Sequence, residues 1–520
     1  MNRPDPVLDA LAHDVARRPA DQQPDWPDPD LVRRVRAALA TRPALVRPTE
    51  LRALEGLLAR AAAGEILVVQ SGDCAEDPAD RTPAGVGRKA AVLDLLAGAL
   101  RTLTGTPVER VGRIAGQYAK PRSQPYEQTA GRRLPVYRGH LVNAPDPDPD
   151  ARRPDPLRLL LGYLAAGDVM EHLGRPGRDL RGSGPTRPEP GSALWTSHEA
   201  LVLDYEIPLL RRDEDGRPYL GSTHWPWLGV RTARLDGAHV ALLAAVSNPV
   251  SCKVGPAMTP AALVALCARL DPRCRPGRLT LVARMGADRV ADRLPPLVAA
   301  VRAAGHPVVW LCDPMHGNTV TAPDGRKVRA VATLCREVVL FRRAVTAGGG
   351  IAGGLHLETT PDDVTECTAQ DPGPGDTHRA SGPYTSLCDP RLNPDQALTV
   401  VSAWRGTAAP ADHPPRTSTG DAPQRNPRLD PGADPDPDPL RARLGDPPPP
   451  PDPPPPPDPP PPPDPPPPPD PPPPPDPPPP PHRHPSPSTR QEPVPESCPP
   501  PPATRRNGRP AAHHEQGTLS

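Results

Sequence analysis

Four side chains able to ligate a divalent ion, Cys74, His316, Glu358 and Asp389, each follow a short apolar run, in the segments EILVVQSGDCAE, HPVVWLCDPMHGN, GGLHLETT and SLCDPRLN. A thiolate, an imidazole and two carboxylates form a mixed soft and hard donor set, which suits manganese, cobalt, iron or zinc rather than calcium or magnesium. The separations are too wide for spacing alone to argue a metal centre. A second constellation strengthens the case. Arg113, Lys120 and Arg122 stand in RIAGQYAKPRS, and Arg231, Lys253 and Arg284 stand in GVRT, CKVGP and ARMG, again beside the ends of apolar runs. Arginine presents a planar fork to carboxylate or phosphate oxygens, and lysine adds a point charge. Any one of these cations alone is explained by solvation or a surface ion pair. Six together near one metal imply a substrate with several negative charges, and phosphorylated small metabolites are the natural class.

The elements that must position these residues alternate in a βα rhythm, which implies a parallel sheet. The apolar runs predict strands over residues 65–70, 109–114, 193–196, 227–230, 249–254, 279–284, 307–312 and 354–358. Helical patterns fall at 86–103, 157–173, 259–270, 287–304 and 328–347, with Pro295 and Pro296 placed to bend the fourth. Thr360, Pro361 and Asp363 read as an N-cap, a first-turn proline and a first-turn acid, predicting a short helix directly after Glu358. Eight strands, each ending in polar residues, describe an α/β fold of the (β/α)8 TIM-barrel type with its site at the C-terminal face of the strands. LVRRVRAALATRP and LRALEGLLARAAA add an N-terminal helical extension. The domain reading is therefore an extension at 1–60, a barrel at 61–405 and a proline-rich tail at 406–520.

The tail cannot build a core. The chain holds 90 Pro, and from Asp446 an Asp followed by five Pro repeats six times, ending before His482. Such a segment forms a solvated polyproline II rod, which serves as a spacer, as a ligand for a proline-binding module, or as a neutral repeat expansion. The histidine pairs near 482–484 and 513–514 are assigned no role. The formal charge is zero, so no basic field argues for nucleic acid, and no apolar run is long enough to span a membrane. The N-terminus lacks the apolar core of a signal peptide, and nine Cys without a CxxC pair suit a reducing compartment; together they predict a cytoplasmic protein. His198, His224, His239 and His356 read as packing histidines, because a lone histidine near a strand end is more often hydrogen-bonded than ligating.

QSGDCAE, RIAGQYAKPRS, SHEALVLDYE, LDGAHVA, NPVSCKVGP, GRLTLVARMG, CDPMHGNT, HLETTPDDVTECT and CDPRLN resemble, in that order, the signature segments of class II 3-deoxy-D-arabino-heptulosonate 7-phosphate (DAHP) synthases, from about residue 60 to 400. The resemblance implies condensation of phosphoenolpyruvate with erythrose 4-phosphate and water, giving DAHP and phosphate at the entry to the shikimate pathway. It implies metal ligation by Cys74, His316, Glu358 and Asp389, with manganese first among the candidate ions. It implies phosphoenolpyruvate contacts at Arg113, Arg231, Lys253 and Arg284, and erythrose 4-phosphate contacts at Lys120, Arg122 and Ser123. Lys253 and Arg113 are then catalytic. Glu199 joins them as a group able to assist a proton transfer, with a helix N-terminal acid as the alternative reading. A homo-oligomer and a chorismate mutase partner also follow from the resemblance.

The sequence departs from that family twice. Val230-Arg231 stands where the family usually has Glu-Arg, removing a carboxylate beside the phosphoenolpyruvate site. The connector GRPGRDLRGSGPTRPEPGS replaces a longer helical insertion that binds aromatic amino acids, so weak aromatic feedback and a role in secondary metabolism are expected. An amino-DAHP synthase using an imino analogue of the aldose phosphate, and a catalytically weak scaffold for a pathway enzyme, are the alternatives. Cys388, beside Asp389, is placed to pair with Cys74 as a disulfide after metal loss, or to serve as a small buried hydrophobe.

Overall fold

The structure is a computed structural model describing residues 5–129, 131–174, 189–322, 325–370 and 382–405. Eight strands, β1 (Leu67–Gly72), β2 (Val108–Arg113), β3 (Leu194–Glu199), β4 (Trp225–Leu228), β5 (Val250–Val254), β6 (Leu279–Ala283), β7 (Val309–Cys312) and β8 (Ile351–Glu358), close into one barrel. Every neighbouring pair is parallel, and β8 pairs back to β1 with Gly72 opposite Glu358. Strands such as VSCKV and LTLVA are buried along their whole length, although Ser251, Lys253 and Thr280 stand among their apolar residues. All eight predicted strands are present, with ends shifted by three residues or fewer.

Three helices precede the barrel: α1 (Pro6–Ala16), α2 (Pro29–Ala40) and α3 (Pro48–Ala62). α1 and α2 each start with an aspartate cap followed by proline, the first-turn chemistry that satisfies free amides and presets φ. Leu54, Leu57 and Leu58 of α3 pack on Ile66, Val68, Trp195, Trp225, Val282 and Leu311, so α3 covers the apolar interior of the lower barrel. The longer remaining helices, α4 (Pro83–Thr104), α5 (Leu157–Leu173), α6 (Ala238–Ala245), α7 (Pro260–Leu270), α8 (Val290–Ala303), α9 (Val331–Ala347) and α10 (Pro394–Ser402), follow the strands. α8 runs through Pro295 and Pro296. None of the described helices is long and apolar enough to cross a membrane.

Three local expectations differ. The helix expected over 328–347 begins at Val331; Lys327–Ala330 is instead a strand, antiparallel to Val320–Thr321 and parallel to Cys367–Thr368. No helix starts at Thr360. The Thr360 amide donates to the Leu392 carbonyl, and the Leu392 amide to that of Glu358, so the end of β8 continues as a bridge to the segment before α10. The helix start comes later, where Asn393 and Gln396 form a capping box. α6, AHVALLAA, carried no periodic signal because its first six residues are all buried and it has no polar face. The Asp-Pro repeat, both late histidine pairs and most of the 174–192 connector lie outside the described residues.

Leu54→Ala is expected to cost about 3 kcal/mol by opening a void between α3 and the barrel, read as a lower urea midpoint. Leu161→Ala, on an α5 position 60% exposed, should stay within about 0.5 kcal/mol. Equal effects would show that α3 is no part of the core.

Candidate active site

The C-terminal strand ends surround a cavity of about 320 Å³. Eight cationic side chains line it: Arg113, Lys120, Arg122, Arg231, Lys253, Arg284, Lys327 and Arg329. His316, Asp389, Glu199, Ser123 and Trp227 share the wall, while Cys74 and Glu358 are fully buried. Lys327 and Arg329 carry no site signal in the sequence, because Val328 reads as the start of the helix expected over 328–347. The alternation of charged and apolar residues in KVRA signals a strand instead.

Glu358, the last residue of β8, is the hub of the charges. Its Oε1 accepts from Arg113 Nη2 at 2.9 Å and Lys120 Nζ at 3.0 Å, its Oε2 accepts from Arg329 Nη1 at 2.7 Å, and His316 Nε2 lies 3.1 Å from Oε1. Burial opposes ionisation, but His316, Lys120, Arg329 and Arg113 together hold the carboxyl well below its ordinary range. Gly72 separates Glu358 from Arg113 in the register, and a Cβ there would lie 2.6 Å from the Arg113 carbonyl oxygen at a φ of +151°. Only glycine lets the two strand ends approach this way.

Arg113 is fixed on every side. It donates to the Asp73 carbonyl at 3.0 Å, contacts His356 Nε2 at 2.6 Å and lies 5.2 Å from the Trp227 ring centroid. His356 Nδ1 meets Gln70 Oε1 at 2.6 Å, and burial, with Lys253 and Arg113 nearby, keeps this imidazole well below its usual pKa. It is a neutral spacer. His198 pairs with Glu206, His224 with Thr196 and His239 with the Leu201 carbonyl, so these three are held within the packing. Lys253 Nζ donates to Asp313, and burial lowers it to about 8 despite that partner.

The loops bearing the other groups are tied down by buried carboxylates. Glu76 accepts from the amides of Ala115, Gly116 and Gln117 at 3.1, 2.9 and 2.8 Å, shaping the turn that carries Lys120, Arg122 and Ser123. Glu366 accepts from the amides of Thr385, Ser386 and Arg391, and Arg391 bridges Glu366 to Asp73, which also meets Lys89 at 2.8 Å. Asp389 is thereby held beside Lys120, at 3.1 Å, and Lys327, at 2.7 Å.

One ring nitrogen of His316 and one oxygen each of Glu358 and Asp389 lie within 4.8 Å of one another. Asp313 holds His316 Nδ1 at 2.8 Å, which leaves Nε2 as the ligating nitrogen. Cys74 is outside this group. Its Sγ lies 3.5 Å from the Asp389 amide and 3.3 Å from Ser386 Oγ, and the neighbouring Cys388 thiol, against burial, draws it down to about 6. Both thiols are free. An imidazole with a fixed tautomer, two carboxylates and a readily ionised thiol form a donor set that fits a divalent ion of borderline softness.

Of the remaining expected contacts, Arg231 donates to Ser123 Oγ at 2.5 Å and Arg284 donates to the His316 carbonyl. Arg122 is paired with Glu127 at 2.8 Å. Glu199 closes β3 and is not a helix N-terminal acid. Its Oε1 is buried without a partner among the described residues, and burial raises its pKa. Gly229 makes room for it, since a Cβ there would come within 2.0 Å of that oxygen. Val230 lines the cavity, 37% exposed.

The chain matches the Class-II DAHP synthetase family over residues 11–176 and 187–403. It is 54% identical over 404 residues to a probable phospho-2-dehydro-3-deoxyheptonate aldolase of Pseudomonas fluorescens, covering 78% of this chain and 99% of that protein. It is 39% identical over 454 residues to the phospho-2-dehydro-3-deoxyheptonate aldolase AroG of Mycolicibacterium smegmatis (strain ATCC 700084 / mc(2)155), covering 76% of this chain and 96% of the relative. A phospho-2-dehydro-3-deoxyheptonate aldolase of Streptomyces coelicolor (strain ATCC BAA-471 / A3(2) / M145) is 38% identical over 429 residues, covering 74% and 94%. A closed parallel barrel with a cation-lined cavity at its strand ends, and a match that runs through nearly all of that barrel, place this chain in the class II DAHP synthetase family.

Proposed function

We propose that the protein condenses phosphoenolpyruvate with D-erythrose 4-phosphate and water to give DAHP and inorganic phosphate, the first step of the shikimate pathway. One observation carries the reading: eight cations converge on a cavity whose wall and floor also hold His316, Asp389 and Glu358. The phosphate and carboxylate of phosphoenolpyruvate and the phosphate of the aldose account for the positive charge that the site's own carboxylates leave over. Cys74, His316, Glu358 and Asp389 would hold the ion, manganese first among the candidates, and it would supply Lewis-acid polarisation of the aldehyde.

The protein's own groups do the rest. Arg113, Arg231, Lys253 and Arg284 hold the carboxylate and phosphate of phosphoenolpyruvate, so that its C3 faces the aldehyde carbon. Lys120, Ser123 and Arg122, the last exchanging Glu127 for substrate, hold the aldose phosphate, with Lys327 on the same wall. The new C–C bond leaves positive charge at C2, where water adds. The unpaired Glu199 oxygen would take the proton of that water, the aldehyde oxygen takes up a proton as it becomes the new hydroxyl, and C–O cleavage then releases phosphate.

Weak aromatic feedback and a place in secondary metabolism are part of the proposal. The family match is interrupted at 177–186, and the 454-position alignment with the Mycolicibacterium relative takes in only 76% of this chain. Several tens of its positions therefore have no counterpart here. The Pseudomonas relative, by contrast, aligns over 404 residues, 99% of its length.

The test is phosphate release by metal-loaded protein given both substrates, with the product mass determined. Turnover should require added metal and fall by at least about 10³-fold in His316→Ala; equal turnover in that variant refutes the metal assignment. Micromolar Phe or Trp should leave the rate unchanged, and strong inhibition would end the feedback argument. Lys253 is charged only below about 8, so kcat/KM for phosphoenolpyruvate should fall as pH rises through that value. A profile flat to pH 9.5, about 1.5 units above it, would remove the Lys253 charge from substrate binding.

A further inference from the structure

We propose that Glu337, on α9, is a positioning residue that locks Arg284 and His316 into one rigid unit. This goes beyond the ligand assignments and rests on the reading that His316 holds the metal and Arg284 holds phosphoenolpyruvate. Glu337 touches neither residue. It is 1% exposed, and its Oε1 accepts from the amides of Met285, at 3.1 Å, and Gly286, at 2.9 Å, in the loop directly after Arg284. Its Oε2 accepts from Asn318 Nδ2 at 2.5 Å, in the loop directly after His316. Asn318 completes the clamp: its Oδ1 accepts from the Ala287 amide at 2.9 Å, and its Nδ2 also donates to the Pro314 carbonyl at 2.7 Å.

The two loops touch through glycine. A Cβ on Gly317 would lie 2.3 Å from the Gly286 nitrogen, and Gly286 itself sits at a φ of +85°. Across this seam Arg284 donates to the His316 carbonyl. A single carboxylate on a helix therefore fixes the spacing between a substrate-holding cation and a metal-holding imidazole. The chemistry of the clamp requires an acceptor on both sides of residue 337 and a donor at 318. Glutamine at 337 would turn an amide NH₂ against the NH₂ of Asn318, two donors face to face. Exchanging the pair, Glu337→Gln with Asn318→Asp, restores a donor opposite an acceptor, keeps the net charge and still leaves an oxygen for the Ala287 amide, while the Pro314 carbonyl loses its donor.

The experiment compares wild type, E337Q, N318D and the double variant by KM for phosphoenolpyruvate, Mn²⁺ affinity by titration, and hydrogen exchange at the 285–287 amides. E337Q is expected to raise KM and the Mn²⁺ dissociation constant together, each by about tenfold, the usual size of a loss behind a metal ligand. Its kcat at saturation should stay within about twofold, and exchange at the amides should accelerate. The double variant should recover all three in part, short of wild type by the lost hydrogen bond to Pro314. Loss of only one of the two affinities, or a double variant with a native melting temperature and no recovery, overturns the proposal. H316A and R284A serve as separate controls: if they leave metal affinity and KM unaltered, the ligand assignments fail, while amide exchange in E337Q and the double variant still decides whether the clamp exists.

Discussion

Glu358 is the carboxylate on which the upper barrel depends. It has no exposure, and three cations and an imidazole converge on its two oxygens. An isolated carboxylate in that position would cost several kcal/mol in lost hydration, and Arg113, Lys120 and Arg329 would repel one another without it. Each side of the arrangement makes the other tolerable. A neutral residue at the last position of β8 would leave the cations around it uncompensated.

The same economy extends outward from the cavity. Glu76, Glu366 and Glu337 are buried acids that accept from loop amides rather than face the cavity, and each governs a different βα connection. A loop at a barrel mouth has no ladder to hold it, so its shape must come from side chains that replace the missing backbone partners. Carboxylates suit this task because they are acceptors only and take two or three amides at once. The loops that carry the remaining cavity cations are thereby tied to buried acceptors.

Positive charge remains in surplus at the cavity wall. Among the described residues, Arg231 and Arg284 have uncharged oxygens as hydrogen-bond partners there, and Lys253 is low in pKa because burial and Arg113 outweigh Asp313. With Val230 at the rim, Glu199 is the cavity carboxylate that has an oxygen free of any partner among the described residues. Anionic substrates complete this electrostatic arrangement, and water excluded around them strengthens every contact.

The sequence by itself determined the barrel and the positions of most chemical groups. Strands of a parallel barrel read as short, mostly apolar segments, and a barrel site lies where such segments end, so Cys74, Arg113, Lys253, His316 and Glu358 stood out before any coordinate. Tertiary structure decided what has no one-dimensional signature. Lys327 and Arg329 reach the cavity because KVRA pairs with Cys367–Thr368, a contact across about forty residues that local pattern reads as a helix start. The cap-like Thr360 starts no helix because its amide is taken by Leu392. α6 is buried all round and so shows no amphipathic period. The pairing of Arg122 with Glu127, and the clamps made by Glu76, Glu337 and Glu366, depend on which distant amides and charges the closed ring brings together. Periodicity records which face of an element is buried, whereas hydrogen-bond partners are chosen only once the elements are packed.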